Sequence, residues 1–150
     1  MNYNSTMEHK AQVELAFIGL RCTSVTRFGS DSWRFDFEGR AVLDVRCPWR
    51  ILSTAGIALG NVNHQQQFGL PAPIDAQQEA QKLLAVPIIK ATIREKTADL
   101  ILELEQGACL EVFNASSGYE GWECSSKDRL LVVARGGGEF ETWNTDPPLV

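Results

Sequence analysis

Residues 32–45 read SWRFDFEGRAVLDV, and residues 99–112 read DLILELEQGACLEV. Set 67 positions apart (32 to 99) and without a gap, Glu38, Ala41, Leu43 and Val45 recur as Glu105, Ala108, Leu110 and Val112. Phe35, Asp36, Phe37 and Asp44 are matched in kind by Leu102, Glu103, Leu104 and Glu111. Both stretches alternate in the same phase. Trp33, Phe35 and Phe37 point one way and Arg34, Asp36 and Glu38 the other, which is the period-two pattern of a half-buried strand. Glu38-Gly39 interrupts the first stretch and predicts a tight hairpin, because glycine accepts the positive φ that primed turns require. In the second stretch Gly107 falls one residue later, which predicts a three-residue loop or a bulge there.

The correspondence extends outward. Trp49-Arg50-Ile51 follows the first hairpin as Trp122-Glu123-Cys124 follows the second, after six extra residues, so each unit gains a third strand. Upstream, residues 20–28 and 88–95 are rich enough in β-branched side chains to be strands. A helix is predicted before each. In the second, Asp75 caps, Gln78 completes a capping box, and Ala76, Ala80, Leu83 and Leu84 share a face. In the first, Ser5 and Glu8 offer the cap, Met7, Ala11, Leu15 and Ile18 form the stripe, and Gly19 is the stop. Residues 60–73, dense in Gly, Asn, Gln and Pro, read as a linking loop. Residues 130–144 read as a strand, a glycine turn and a last short strand, before a loose tail from Asp146 to Val150.

The expected architecture is therefore an α+β domain spanning residues 1–150. Its antiparallel sheet comes from a duplicated helix–strand–hairpin–strand unit, about 5–52 and 72–125, with two helices packed on the sheet. A chain of 150 residues that is 44% hydrophobic can bury a core of that size.

Composition narrows the function. A net charge of −5, from 19 acidic against 14 basic residues, gives no footprint for a nucleic-acid backbone and favours a basic partner. The first twenty residues carry charges around a short apolar run without a cleavage site, and no stretch reaches the ~18 apolar residues of a membrane span. A cytoplasmic protein is expected, with no membrane association. Cys22, Cys47, Cys109 and Cys124 are widely spaced and read as free, buried thiols.

Catalytic chemistry finds little material. His9 and His64 are the only histidines, neither has an evident partner, and both read as solvated side chains. No spacing suits a metal, so no metal or cofactor is expected. The carboxylates Asp36, Glu38, Asp44, Glu103, Glu105 and Glu111 read as a solvated outer sheet face. Arg135-Gly136-Gly137-Gly138 reads as a hairpin turn, with an anion-binding nest of amides as the less favoured alternative. The most distinctive segment is residues 114–124, NASSGYEGWEC, which contains the six-residue insertion. Tyr119, Glu120 and Trp122 are candidate binding residues there, with Trp122 expected to pack inward as Trp49 does.

Residues 83–122, through Asp99-Leu100, the hairpin to Leu110 and the Tyr119-Glu120-x-Trp122 element, resemble a group of small bacterial domains of unknown function. By analogy with small acidic α+β immunity proteins, the resemblance implies a non-catalytic protein that neutralises a toxin. The expected function is protein binding through Tyr119, Glu120, Trp122, Glu103 and Glu105, the partner being another protein such as a basic toxin. Two alternatives stand beside it. One is a small-ligand or enzymatic domain with a cleft between the repeats, lined by Trp33, Trp49 or Trp122. The other is a structural homodimer formed through open sheet edges.

Overall fold

The computed structural model describes the backbone of residues 3–126 and 130–144, and the side chains of those from residue 10 onward except 130, 143 and 144. The side-chain roles expected of Ser5, Met7, Glu8 and His9, and the tail from Asp146, lie outside what is described. Among the described residues two helices, α1 (Tyr3–Phe17) and α2 (Ala76–Leu83), accompany eleven strands in two antiparallel sheets, an α+β fold.

Strands β1 (Ser24–Phe28), β2 (Ser32–Phe37) and β3 (Ala41–Val45) form a meander. The chain then crosses to the other sheet for β4 (Trp49–Ser53) and β5 (Gly56–Gly60). After α2, strands β6 (Ile88–Ile93), β7 (Leu100–Leu104) and β8 (Cys109–Val112) form a meander in that second sheet. The chain then crosses back for β9 (Trp122–Ser126), β10 (Leu130–Ala134) and β11 (Phe140–Asn144). The sheets run β1-β2-β3-β9-β10-β11 and β5-β4-β8-β7-β6. Each meander is thus continued by strands from the other half of the chain. The pairings match position for position: Trp33 with Val45 and Leu100 with Val112 within the meanders, Val45 with Trp122 and Val112 with Trp49 at the junctions.

Alternation decides which side chains face inward. Trp33, Phe35, Phe37, Leu43 and Val45 from one sheet and Ile51, Leu100, Leu102, Leu104, Leu110 and Val112 from the other are buried in one apolar cluster. Aromatic edges lock the layers together. Trp49 of β4 meets Trp33 at 5.0 Å and Phe35 at 5.3 Å, both edge-on. Such contacts add about 0.5–1.5 kcal/mol each beyond the area they bury.

Both hairpins have three-residue loops, since Phe37 pairs with Ala41 and the Leu104 amide donates to the Ala108 carbonyl. The first is therefore one residue longer than a two-residue turn. The glycine shift decides instead which residues are left-handed: Glu38 and Gly39 in the first loop, Gln106 and Gly107 in the second.

The helices do not lie on a sheet face. Helix α1 packs on the edge strands β6 and β11, and α2 on the edge strands β1 and β5, so each covers an open side between the sheets. The inward stripe of α1 is Val13 and Phe17, Phe17 meeting Phe37 edge-on at 5.8 Å, while Leu15 is 70% exposed and Ala11 and Ile18 also face out. The expected stripe is corrected: the side of the helix turned to β6 is the one that carries Val13 and Phe17, with Glu14 beside them. Glu14 accepts a hydrogen bond from the backbone amide of Ile93 on that edge (2.8 Å) and pairs with Lys10 (3.1 Å). On the opposite side the Gln77 side chain accepts from the Arg27 amide of β1 (2.8 Å). In α2 the expected face holds, with Ala76, Ala80 and Leu84 buried and Leu83 half-buried. Strand β5, with a glycine at each end, has no counterpart in the sequence expectation.

No helix among the described residues is long and apolar enough to cross a membrane. Replacing Glu14 by Ala leaves the Ile93 amide buried without an acceptor, a loss of about 1–3 kcal/mol. Urea denaturation should show a lower midpoint at an unchanged slope, with Glu14→Gln retaining most of the stability because its carbonyl oxygen still accepts.

Candidate functional site

The two crossovers lie side by side at one end of the sandwich, because β3 ends beside the start of β9 and β8 ends beside the start of β4. The first, residues 46–48, is short. The second, residues 113–121, is longer by the six inserted residues. The Arg46 amide donates to Gly121 O (2.8 Å) and the Phe113 amide to Pro48 O (2.9 Å), which laces the two together. Between them opens a groove of about 690 Å³, bordered by Arg46, Cys47, Pro48, Ser116, Tyr119 and Glu120.

Asn114 anchors the longer crossover. Its amide donates to the Asp99 carboxylate (2.8 Å), and its side-chain Nδ2 donates to Thr97 O (3.0 Å) and Arg135 O (2.8 Å), tying three loops together. Asp99 is only 7% exposed and lies 3.7 Å from the Arg94 guanidinium. The Ser116 hydroxyl accepts from the amides of Gly118 (3.0 Å) and Tyr119 (2.9 Å), a small turn that throws the Tyr119 ring outward.

The glycine run after β10 supports this loop from behind. A Cβ on Gly136 would lie 2.5 Å from Gly118 C, and one on Gly138, at φ +90°, would lie 1.7 Å from Lys96 O. The Gly137 amide donates to Ser116 O (2.9 Å). The run is a turn, as expected, and its glycines are required because two other loops press backbone against backbone there.

The candidate residues divide sharply. Tyr119 is 81% exposed at the groove mouth with Glu120 beside it, whereas Trp122 is fully buried and donates Nε1–H to Ala98 O (2.8 Å). Glu103 on β7 and Glu105 in the β7–β8 loop are exposed, but they lie toward the hairpin end of the sheet, away from the crossovers. Leu100 marks the crossover end, and about 3.4 Å per strand residue puts Glu103 and Glu105 on the order of 10 Å or more from it. The structure does not gather the five residues into one site.

The outer carboxylates are not a bare acidic face. Asp44 pairs with Arg34 (2.7 Å), Glu111 with Arg50 (2.7 Å) and Glu123 with Arg46 (3.3 Å), while Asp36 accepts from the Gly39 amide (2.7 Å). Asp44 and Glu123 are direct cross-strand neighbours, and their two arginines offset a repulsion that would otherwise weaken the β3–β9 junction. Arg34 and Asp44 face each other within the predicted hairpin, whereas Arg50 and Arg46 meet acids on strands distant in sequence, a register that no local pattern sets. Trp33, Trp49 and Trp122 belong to the core and not to a cleft. His64 is not a solvated side chain: it is half-buried and its Nδ1 accepts the Ala76 amide (3.1 Å).

All four cysteines are free. Burial raises the thiols of Cys22, Cys47 and Cys124 from 9.0 to about 12 and that of Cys109 to about 11. Cys47, at the groove, is held further toward the neutral thiol by the charge of Asp99. Among the described residues no group of three or more His, Cys, Asp or Glu is placed to hold a metal.

Raised folded-state values mean that the folded thiols keep their protons where the unfolded chain loses them. Stability from this source is complete below pH 9 and declines as pH rises toward 12. Urea midpoints should therefore fall between pH 9 and 10.5, less steeply in Cys124→Ala. Gly138→Ala should cost roughly 2–4 kcal/mol from the backbone clash and left-handed strain, and Gly118→Ala, whose Cβ meets nothing, within about 0.5 kcal/mol.

No curated protein and no solved structure matches the chain. A family model does match, over residues 19–144, which takes in both meanders, both crossovers and all of β11. The chain belongs to the family of unknown function DUF6188.

Proposed function

We propose that this protein is a non-catalytic binding domain that captures another protein at its crossover end, acting in the cytoplasm as an immunity-like neutraliser of a basic toxin. The observation that carries the reading is Tyr119. Its ring is 81% exposed at the groove mouth, and the loop that presents it is pinned by Asn114, Ser116 and the glycine packing. A rigid, exposed tyrosine is the usual anchor of a recognition surface, because it contributes large contact area at low entropy cost.

Charge supplies the partner's chemistry. Glu120 adjoins the ring, Arg46 is engaged by Glu123, and the whole chain carries −5. Pro48 and Tyr119 offer apolar and aromatic walls to the stem of a lysine or arginine, and Glu120 offers a carboxylate to its head. The acidic balance accelerates encounter with a basic protein. Cys47 supports binding over thiol chemistry, since a thiol pushed up to about 12 is a poor nucleophile at neutral pH.

We read the chain as two repeats, about 5–52 and 72–125, whose crossovers meet at this groove. The matched pairings across β2–β3 and β7–β8, and across β3–β9 and β8–β4, support that reading. A second function, small-ligand binding between the repeats, is favoured by one observation: about 690 Å³ lies within the range of about 300–1,000 Å³ typical of ligand pockets.

Calorimetric titration with the product of the adjacent gene tests the proposal. Tight binding by the wild type that weakens at least about tenfold in Tyr119→Ala and in Glu120→Lys is expected. Absence of binding by the wild type, or full affinity in both variants, overturns it.

A further inference from the structure

The segment joining β5 to α2, residues 61–75, carries one titratable side chain besides the Asp75 cap, and that is His64. It sits where the segment is fastened. The His64 backbone forms a parallel bridge with Ile74, the Gln65 amide donates to Ile74 O (3.0 Å), and the imidazole Nδ1 accepts the Ala76 amide at 3.1 Å. Helix α2 thus has two caps. Asp75 takes the amides of Gln77 (2.9 Å) and Gln78 (3.4 Å), and His64 takes the one before them. The ring also meets Trp33 edge-on at 6.0 Å, and Trp33 is a nearly buried member of the core.

An imidazole nitrogen accepts a hydrogen bond only while it is unprotonated, so this geometry requires the neutral ring with its proton on Nε2. Adding a proton places it on the lone pair that Ala76 uses. We propose that His64 is a pH-operated latch: neutral, it caps helix α2 and ties residues 61–74 across the β1–β5 side of the sandwich, and on protonation it lets them go.

The charges around it act in both directions. The positive end of the helix disfavours an imidazolium there, and Arg27 of β1, whose guanidinium lies 5.8 Å from the Trp33 ring, adds to that. Asp75 Oδ1 at 4.0 Å favours the imidazolium, but drawing it in competes with the Gln77 and Gln78 amides, so both caps loosen together. Glu79, the remaining charge in the first helical turn, is engaged by Lys82 at 3.5 Å. Strand β5 and the rest of the segment from 61 to 74 bear no charged residue.

Nitrogen-15 NMR of the full chain tests this. At pH 7.5 the His64 ring should show unprotonated Nδ1. Between pH 7.5 and 5.0 the hydrogen-exchange protection of the Ala76 and Gln65 amides should fall about tenfold after correction for intrinsic rates, while that of Leu43 in β3 stays constant. In His64→Asn, whose side-chain oxygen accepts without titrating, Ala76 should remain protected at both pH values. A ring protonated on Nδ1 at pH 7.5, protection independent of pH in the wild type, or an unchanged pH response in His64→Asn overturns the proposal.

Discussion

Strands β3 and β8 each end a meander with one side still open, and their inward residues Ala41, Leu43, Val45, Leu110 and Val112 have no exposure at all. A buried strand cannot leave a row of amides and carbonyls unbonded, since each costs about 1–3 kcal/mol. Neither half of the chain supplies its own remedy. Strand β9 from the second half completes β3, and β4 from the first half completes β8. Leu43 pairs with Cys124 and Ile51 with Leu110, residues 81 and 59 positions apart in the sequence. Closing such loops costs more entropy than closing the hairpins within each meander, so the junctions depend on the packing of both halves. The same exchange forces both crossovers to one end, and the groove exists because of it.

The remaining edges are dealt with by the helices. An exposed edge strand is a template for unwanted pairing. Here Glu14 of α1 accepts from β6 and Gln77 of α2 accepts from β1, one polar side chain from each helix engaging an amide on an edge strand that the other half begins with. The halves also divide the core between them. Where β2 presents Trp33, Phe35 and Phe37, the matching positions of β7 hold Leu100, Leu102 and Leu104. Large rings against smaller aliphatics let the two layers interdigitate at interior density, which two aromatic layers would not allow.

What could be read from the sequence follows from the range of each interaction. The phase of β2, β3, β7 and β8 was legible because alternation is a property of adjacent residues. The cap at Asp75 was legible because side chain and amide lie two residues apart. Helix α1 was misjudged because Ala11, Leu15 and Ile18 repeat at helical spacing as well as Val13 and Phe17 do, and only the position of β6 chooses between them. Strand β5 escaped because its five residues begin and end with glycine and owe their order to β4. The role of His64 was invisible for the same kind of reason: its partner lies twelve residues away, across a turn that no local pattern announces.

The contrast between Tyr119 and Trp122, three residues apart, shows how the site separates from the core. Trp122 opens β9 opposite Val45, so the inward phase of β3 dictates its burial, and Ala98 O satisfies its indole. Tyr119 falls before the strand begins, where the Ser116 turn rather than the pleat sets direction. Had the second crossover been as short as residues 46–48, no residue at this end could have escaped the alternation. The six added residues free a segment from the sheet, and Asn114 with the glycine run then fixes it again in a new orientation. The short crossover forms one side of the groove and the long one rises beside it. The site is therefore one-sided: Arg46, Cys47 and Pro48 of the short crossover border it, and the exposed ring and carboxylate, Tyr119 and Glu120, come from the longer crossover alone.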